Sequence, residues 1–171
     1  MKPGGGQPKG GQFERDMCRR LSLWVTGGES ADIFWRTPSS GGRATIQLRA
    51  GTVNVMQSGD ICAVDPRGYP FVQANYVELK HYKDLGISRS VVCGTGLLAN
   101  FWRKARLEAC RYSKQPLLIA RQNFYPTLAI VETENRIFQS EPLIILCRWG
   151  AVVYLFDEAT AVQRKLTRRA N

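Results

Sequence analysis

The sequence predicts an α/β fold, a mixed sheet flanked by helices. Two observations carry that expectation. Two segments, one near each end of the first two-thirds, place apolar residues at helical spacing, and strand-like runs lie between and after them. The composition agrees: 171 residues, 44% hydrophobic and 22% charged, are enough to bury a real core and argue against wholesale disorder.

After Met1, residues 2–11 are Gly, Pro, Gln and Lys, and residues 1–11, with little to bury, read as a mobile basic arm. Gln12 to about Val25 reads as a helix, with Phe13, Met17, Leu21 and Trp24 on one apolar stripe and Gly27-Gly28 at its end. Ile33 to Arg36 reads as a short strand, and Thr37-Pro38-Ser39-Ser40-Gly41-Gly42 as a loop. Residues 44–57 read as short strands or a partly helical insert. Asp60 to Val64 and Phe71 to Lys80 read as strands joined by a tight turn at Asp65-Pro66-Arg67-Gly68, a hairpin. Gly96 to about Tyr112 reads as a second helix, lined by Leu98, Phe101, Trp102, Ala105, Ala109 and Tyr112. Strands are expected at Pro116 to Ala120, Leu128 to Val131 and Gly150 to Phe156, and a strand or short buried helix at Leu143 to Cys147. The domain reading is an arm (1–11), one domain (12–163) and a basic tail (164–171) that includes Arg164, Lys165, Arg168 and Arg169.

Charge points to a class of partner. Twenty-four Lys and Arg against 14 Asp and Glu leave a formal charge of +10, which suits a polyanion such as nucleic acid. The excess is uneven: residues 1–121 hold 18 bases and 9 acids, residues 122–163 only 2 and 5. Arg103 and Lys104, with Arg106, Arg111 and Lys114, form a basic helix face that could track a phosphate backbone or simply be solvated. No apolar run reaches 18 residues and the first residues lack an apolar signal core, so neither a membrane span nor a secretory leader is expected. The five cysteines are scattered without C-x-x-C spacing, which fits a reducing, cytoplasmic or nucleoid-associated setting.

The chemistry concentrates in Gly59-Asp60 and Glu78-Leu79-Lys80. Strand side chains alternate, so Glu78 and Lys80 share a face, and the expected hairpin brings Asp60 beside them. Adjacent carboxylates repel unless a cation lies between them, and such oxygens suit Mg2+ or Mn2+. Glu14, on the first helix beside the apolar stripe, offers a further carboxylate that needs a partner. Taken singly each is commonplace: Glu-x-Lys as a solvated strand face, Asp after Gly as a turn residue, Glu near a helix start as a complement to its dipole. The joint order carries the argument. His81 points away from Lys80, and as the only histidine it leaves imidazole-dependent triads without a ready base. Trp24 and Trp102 read as core, while Trp35 and Trp149, each beside an arginine, are candidates for base stacking.

In that order, Gly11-Gln12-Phe13-Glu14-Arg15, Arg36-Thr37-Pro38-Ser39-Ser40-Gly41, Gly59-Asp60-Ile61-Cys62-Ala63 and Val77-Glu78-Leu79-Lys80 resemble the PD-(D/E)XK nuclease superfamily, and within it the archaeal-type Holliday junction resolvases. The resemblance spans roughly residues 10–121. It implies a restriction-endonuclease-like fold, a three-layer αβα arrangement, and hydrolysis of DNA phosphodiester bonds. Glu14, Asp60, Glu78 and the Leu79 carbonyl would hold Mg2+ or Mn2+, Lys80 would orient the attacking water, and Arg15, Arg36, Ser39 and Ser40 would contact the DNA backbone. Branched DNA is the substrate it suggests, cut in recombination or repair by a homodimer whose interface would use the apolar, sparsely charged 138–156 segment. Two departures, the long segment from Gly41 to Asp60 and the turn around Asp65 to Tyr69, bear on the DNA groove. The alternatives are a general or end-directed DNA nuclease of phage or mobile-element origin, and a non-catalytic basic nucleic-acid-binding protein.

Overall fold

The computed structural model describes residues 7–37 and 59–161, with side chains from residue 11 onward. Ser39 and Ser40, the 44–57 insert and the 164–169 tail lie outside the described residues.

Helix α1 runs Gln7–Val25, so it starts inside the segment expected to be a flexible arm. Pro8 falls in the first turn, where a missing N–H costs nothing. Gly10 and Gly11 have poor helix propensity and hide the helix from a sequence reading. Its stripe of Phe13, Met17, Cys18, Leu21 and Trp24 is buried. Ser22, also buried, fastens the next element: its hydroxyl donates to the Cys18 carbonyl and accepts the N–H groups of Ile33 and Phe34 at 3.1 and 2.9 Å. Strand β1 (Phe34–Arg36) is thereby laid against α1 and pairs antiparallel with β2 (Ile61–Ala63).

The expected hairpin does not form. From β2 the chain enters a 3₁₀ turn (Pro66–Gly68), then helix α2 (Tyr69–Ala74), and only then strand β3 (Asn75–Tyr82). Pro66 and Pro70 occupy opening positions of these two turns, and Asp65 caps the first by accepting the Arg67 N–H. Phe71 and Val72 are thus buried from a helix, not a strand. The helix returns the chain so that residue 59 meets Val77 in parallel, a strand–helix–strand crossover.

Helices α3 (Ile87–Cys93) and α4 (Leu97–Arg111) connect β3 to β4 (Gln115–Gln122), which lies parallel to it. Strands β5 (Leu128–Glu132), β6 (Ile144–Leu146) and β7 (Ala151–Leu155) complete a five-stranded sheet ordered β3-β4-β5-β7-β6, its remaining pairs antiparallel. The 143–147 segment resolves as the edge strand β6 followed by a 3₁₀ turn. A last helical stretch covers 156–161. Alternation along β4 shows the layering: Leu117 and Ile119 pack into the cluster that holds α1, α2 and the 156–161 helix, while Leu118 and Ala120 join the cluster that holds α4. The mixed sheet is therefore covered on both faces, the restriction-endonuclease-like α/β arrangement expected. No described helix is long and apolar enough to cross a membrane.

The approach of β2 to β3 depends on Gly59. Its φ is +87°, and a Cβ there would stand 2.5 Å from the Val77 carbonyl oxygen. Gly59→Ala should destabilise the protein by about 2 kcal/mol or more through backbone strain alone. That corresponds to a Tm lowered by roughly 4–8 °C for a chain of this size. Thermal unfolding followed by circular dichroism tests it, and an unchanged Tm would mean that these strands do not make this approach.

Candidate active site

β3 is an edge strand of the main sheet, and its free side meets the residues that open β2. The Asp60 N–H donates to the Val77 carbonyl at 2.8 Å, and one Asp60 carboxylate oxygen accepts the Leu79 N–H at 2.7 Å. This pair of bonds fixes Asp60 between Val77 and Leu79. The sequence reading joined Asp60 to Glu78 through a hairpin; a parallel crossover brings them together instead.

Glu78 and Lys80 project from the face opposite Val77 and Leu79. The Lys80 ammonium is 2.6 Å from Glu78 Oε1, 3.1 Å from the Leu79 carbonyl oxygen and 3.6 Å from Asp60 Oδ2. Three oxygens from three residues thus converge on one cation. The Phe101 ring of α4 lies 5.6 Å below the ammonium and adds cation–π attraction.

Electrostatics follows from burial. The Glu78 carboxyl is only 6% exposed, and burial together with the charge of Asp60 pushes its pKa up, against the pull of Lys80 and Lys104. Burial pulls the Lys80 ammonium down, but Asp60 and Glu78 outweigh it and hold its pKa above the ordinary value. Lys80 is therefore charged at neutral pH.

Glu14 approaches from α1. Burial and the charge of Asp60 raise its pKa, while Arg36, Lys80 and Arg15 lower it. Its ion pair is with Arg36, at 3.2 Å. Gly11 makes room for that guanidinium: a Cβ there would stand 3.1 Å from Arg36 Nη1. Among the described residues, no three His, Cys, Asp or Glu side chains are grouped closely enough to hold an ion by themselves. Glu14 is thus near enough to feel Asp60, but it does not join Asp60 and Glu78 in one ligand group.

The remaining candidates separate. Lys104 is exposed on α4 and close enough to act on Glu78. Arg103 instead bonds the Asn100 side chain at 2.9 Å. His81 faces α1, with its ring 5.2 Å from Phe13 and Nε2 3.1 Å from Asn123 Oδ1, away from Lys80 as expected. Trp149 is a correction: it is 8% exposed, packed in the core, and its carbonyl accepts the Trp102 indole N–H. Trp35 is 61% exposed.

Tyr76 joins the site without having been among the expected residues. This buried side chain donates its hydroxyl to Glu78 Oε2 at 3.4 Å, and its ring stacks on Tyr112. Two residues before Glu78 on the same strand, it shares that face, so period-two alternation would have found it.

The sequence model of a family described as "phage putative PDDEXK endonuclease" matches residues 6–145. The chain belongs to that family. Every acid and base of the site falls within the matched span. The match carries the PD-(D/E)XK endonuclease assignment and does not extend to the archaeal-type resolvase subtype. No curated protein matches the chain significantly. No solved structure does so either.

The raised Glu78 pKa has a consequence for stability in this PD-(D/E)XK protein. Between the ordinary glutamate value and the raised folded value, the folded state binds more protons than the unfolded state, so stability falls as pH rises through that window. Glu78→Gln should give a shallower decline of Tm with pH there, measured by calorimetry in EDTA. An unchanged slope would mean that Glu78 ionises as readily in the folded chain as in the unfolded one.

Proposed function

We propose that the protein is a divalent-metal-dependent DNA endonuclease with its centre at Asp60, Glu78 and Lys80. The observation that carries this is the convergence of Asp60 Oδ2, Glu78 Oε1 and the Leu79 carbonyl on one cationic point, the Lys80 ammonium. These are hard oxygen donors of the kind Mg2+ or Mn2+ takes, and the two carboxylates repel each other without a cation between them. Asp60, Glu78 and the Leu79 carbonyl would hold the ion, with Glu14 reaching it through water. Such an ion polarises a phosphoryl oxygen and lowers the pKa of a bound water.

The chain's own groups do the rest. Lys80, charged and anchored over Phe101, orients the attacking water and neutralises charge that develops on the phosphate. Tyr76 holds Glu78 in place from behind. Arg36 and Arg15, with Ser39 and Ser40 from the loop that follows, contact the backbone near the scissile phosphate. Lys104 and Arg103 extend the contact along α4. The phage family match suits a general or end-directed nuclease at least as well as a branched-DNA resolvase. A resolvase would act as a homodimer, because two equivalent strands must be cut. The edge strand β6 would serve that purpose, since Leu143, Ile144 and Ile145 are exposed there.

The test is a cleavage assay with Mg2+ on linear duplex, single strand, flap and four-way junction. Glu78→Ala and Lys80→Ala should each lower the rate by about 100-fold or more and leave DNA binding in EDTA within about twofold of the native protein. Saturating Mg2+ should raise the Tm of the native protein by about 5 °C or more, as expected for a ligand at a large excess over its Kd, and should leave the Glu78→Ala Tm unmoved. Unimpaired cleavage by either variant would overturn the assignment. The absence of both cleavage and a Mg2+ shift in the native protein would leave a basic DNA-binding protein.

A further inference from the structure

Between α1 and β1 lies an open cleft of about 440 Å³, of which the proposed function uses only Arg15 and Arg36. Arg15, Arg19, Phe34, Trp35 and Arg36 line it, with Asp32 at its lip. Three arginines against one aspartate make it an anion-attracting groove. Arg15 and Arg19 are one helical turn apart on the same face of α1, and both are exposed. Trp35 presents its indole to water from the middle of β1. The other three tryptophans are 1–8% exposed, against 61% for Trp35. Arg36 is shared: it lines the cleft and pairs with Glu14 at 3.2 Å, which links the cleft to the residues beside the proposed centre.

We infer that this cleft binds a single-stranded DNA flank of the substrate, one unpaired base stacking on Trp35 while Arg15, Arg19 and Arg36 hold the adjoining phosphates. A flat indole can accept only a base whose face is free, and in a duplex interior both faces are already stacked. A positively charged groove with an aromatic platform is the arrangement that tracks unpaired strands without reading sequence. A duplex backbone alone would use the arginines and leave the tryptophan idle. The inference rests on the nuclease reading for the identity of the substrate, and it narrows that substrate to DNA with an unpaired segment at the cut.

Binding is measured without metal, so that no cleavage intervenes. Tryptophan emission is followed in EDTA while a twelve-nucleotide oligothymidylate or a twelve-base-pair duplex is added. The single strand should quench the long-wavelength emission of the water-facing Trp35 saturably, and the duplex should not. Read by the fluorescence anisotropy of end-labelled ligands, Trp35→Ala should weaken oligothymidylate binding by about fivefold or more, the loss expected for one stacked base, and duplex binding by less than about twofold. Trp35→Phe should restore most of the single-strand affinity. Arg19→Gln should weaken both ligands and reduce the salt slope by about one. Equal losses for both ligands with Trp35→Ala, or no loss for either, would overturn the proposal. So would an absence of single-strand quenching in the native protein, which decides the matter even if the alanine variant fails to fold. Native protein that quenches in this way yet cleaves nothing keeps the cleft and loses the nuclease reading. Intact cleavage by the native protein, with oligothymidylate affinity unchanged in Trp35→Ala, loses the cleft alone.

Discussion

One hydrogen bond organises the centre: the Leu79 N–H given to the Asp60 carboxylate at 2.7 Å. β3 lies at the edge of the main sheet, where backbone groups would otherwise face solvent unpaired. Residues 59 and 60 satisfy that edge for the length of one bridge, by backbone at Val77 and by side chain at Leu79. The side-chain bond does what a continued strand could not, since it draws a carboxylate onto the ladder next to a second carboxylate. Gly59 makes the approach possible, because the φ of +87° and the closeness of the Val77 carbonyl leave no space for a Cβ.

Two acids so placed need compensation, and the chain provides it locally. Lys80 lies on the same strand face as Glu78 and reaches both carboxylates and the intervening carbonyl. Glu14 and Arg36 make a second pair alongside, tied to the first by the influence of Asp60 on Glu14. Tyr76 and Phe101 close the site on the α4 side with aromatic surface. Asp60, Glu78 and Lys80 are thus largely withdrawn from water, where a charge interacts more strongly than at an open surface.

Much of this was legible in the sequence, for reasons that differ residue by residue. Period-two alternation places Glu78 with Lys80 and sets His81 apart, because a strand leaves no other option. Helical periodicity finds the buried stripes of α1 and α4. Phe71 and Val72 are apolar in either conformation, so the pattern between residues 60 and 80 suits a hairpin with a turn at 65–68; Pro66, Pro70 and the Asp65 cap decide for two helical turns instead. The start of α1 was hidden by Gly10 and Gly11. Trp35 and Trp149 look alike in sequence, each beside an arginine, and only tertiary packing separates the exposed one from the buried one. Ser39 and Ser40 lie outside the described residues.

The charge balance of the site supplies a physical reason for a divalent ion in the proposed reaction. Glu14, Asp60 and Glu78 carry three negative charges when ionised, and Arg36 and Lys80 carry two positive ones. The pKa values of Glu14 and Glu78 are raised by burial first and by the negative charge of Asp60 second. A phosphodiester arriving there adds one further negative charge in the same partly dry space. Arg15 and Lys104 stand at exposed positions, where water and salt weaken their reach. A monovalent ion would leave the assembly negative with substrate bound; a divalent one brings it to neutrality. In the proposed reaction the acids would therefore serve less as a store of negative charge than as the complement of a divalent cation.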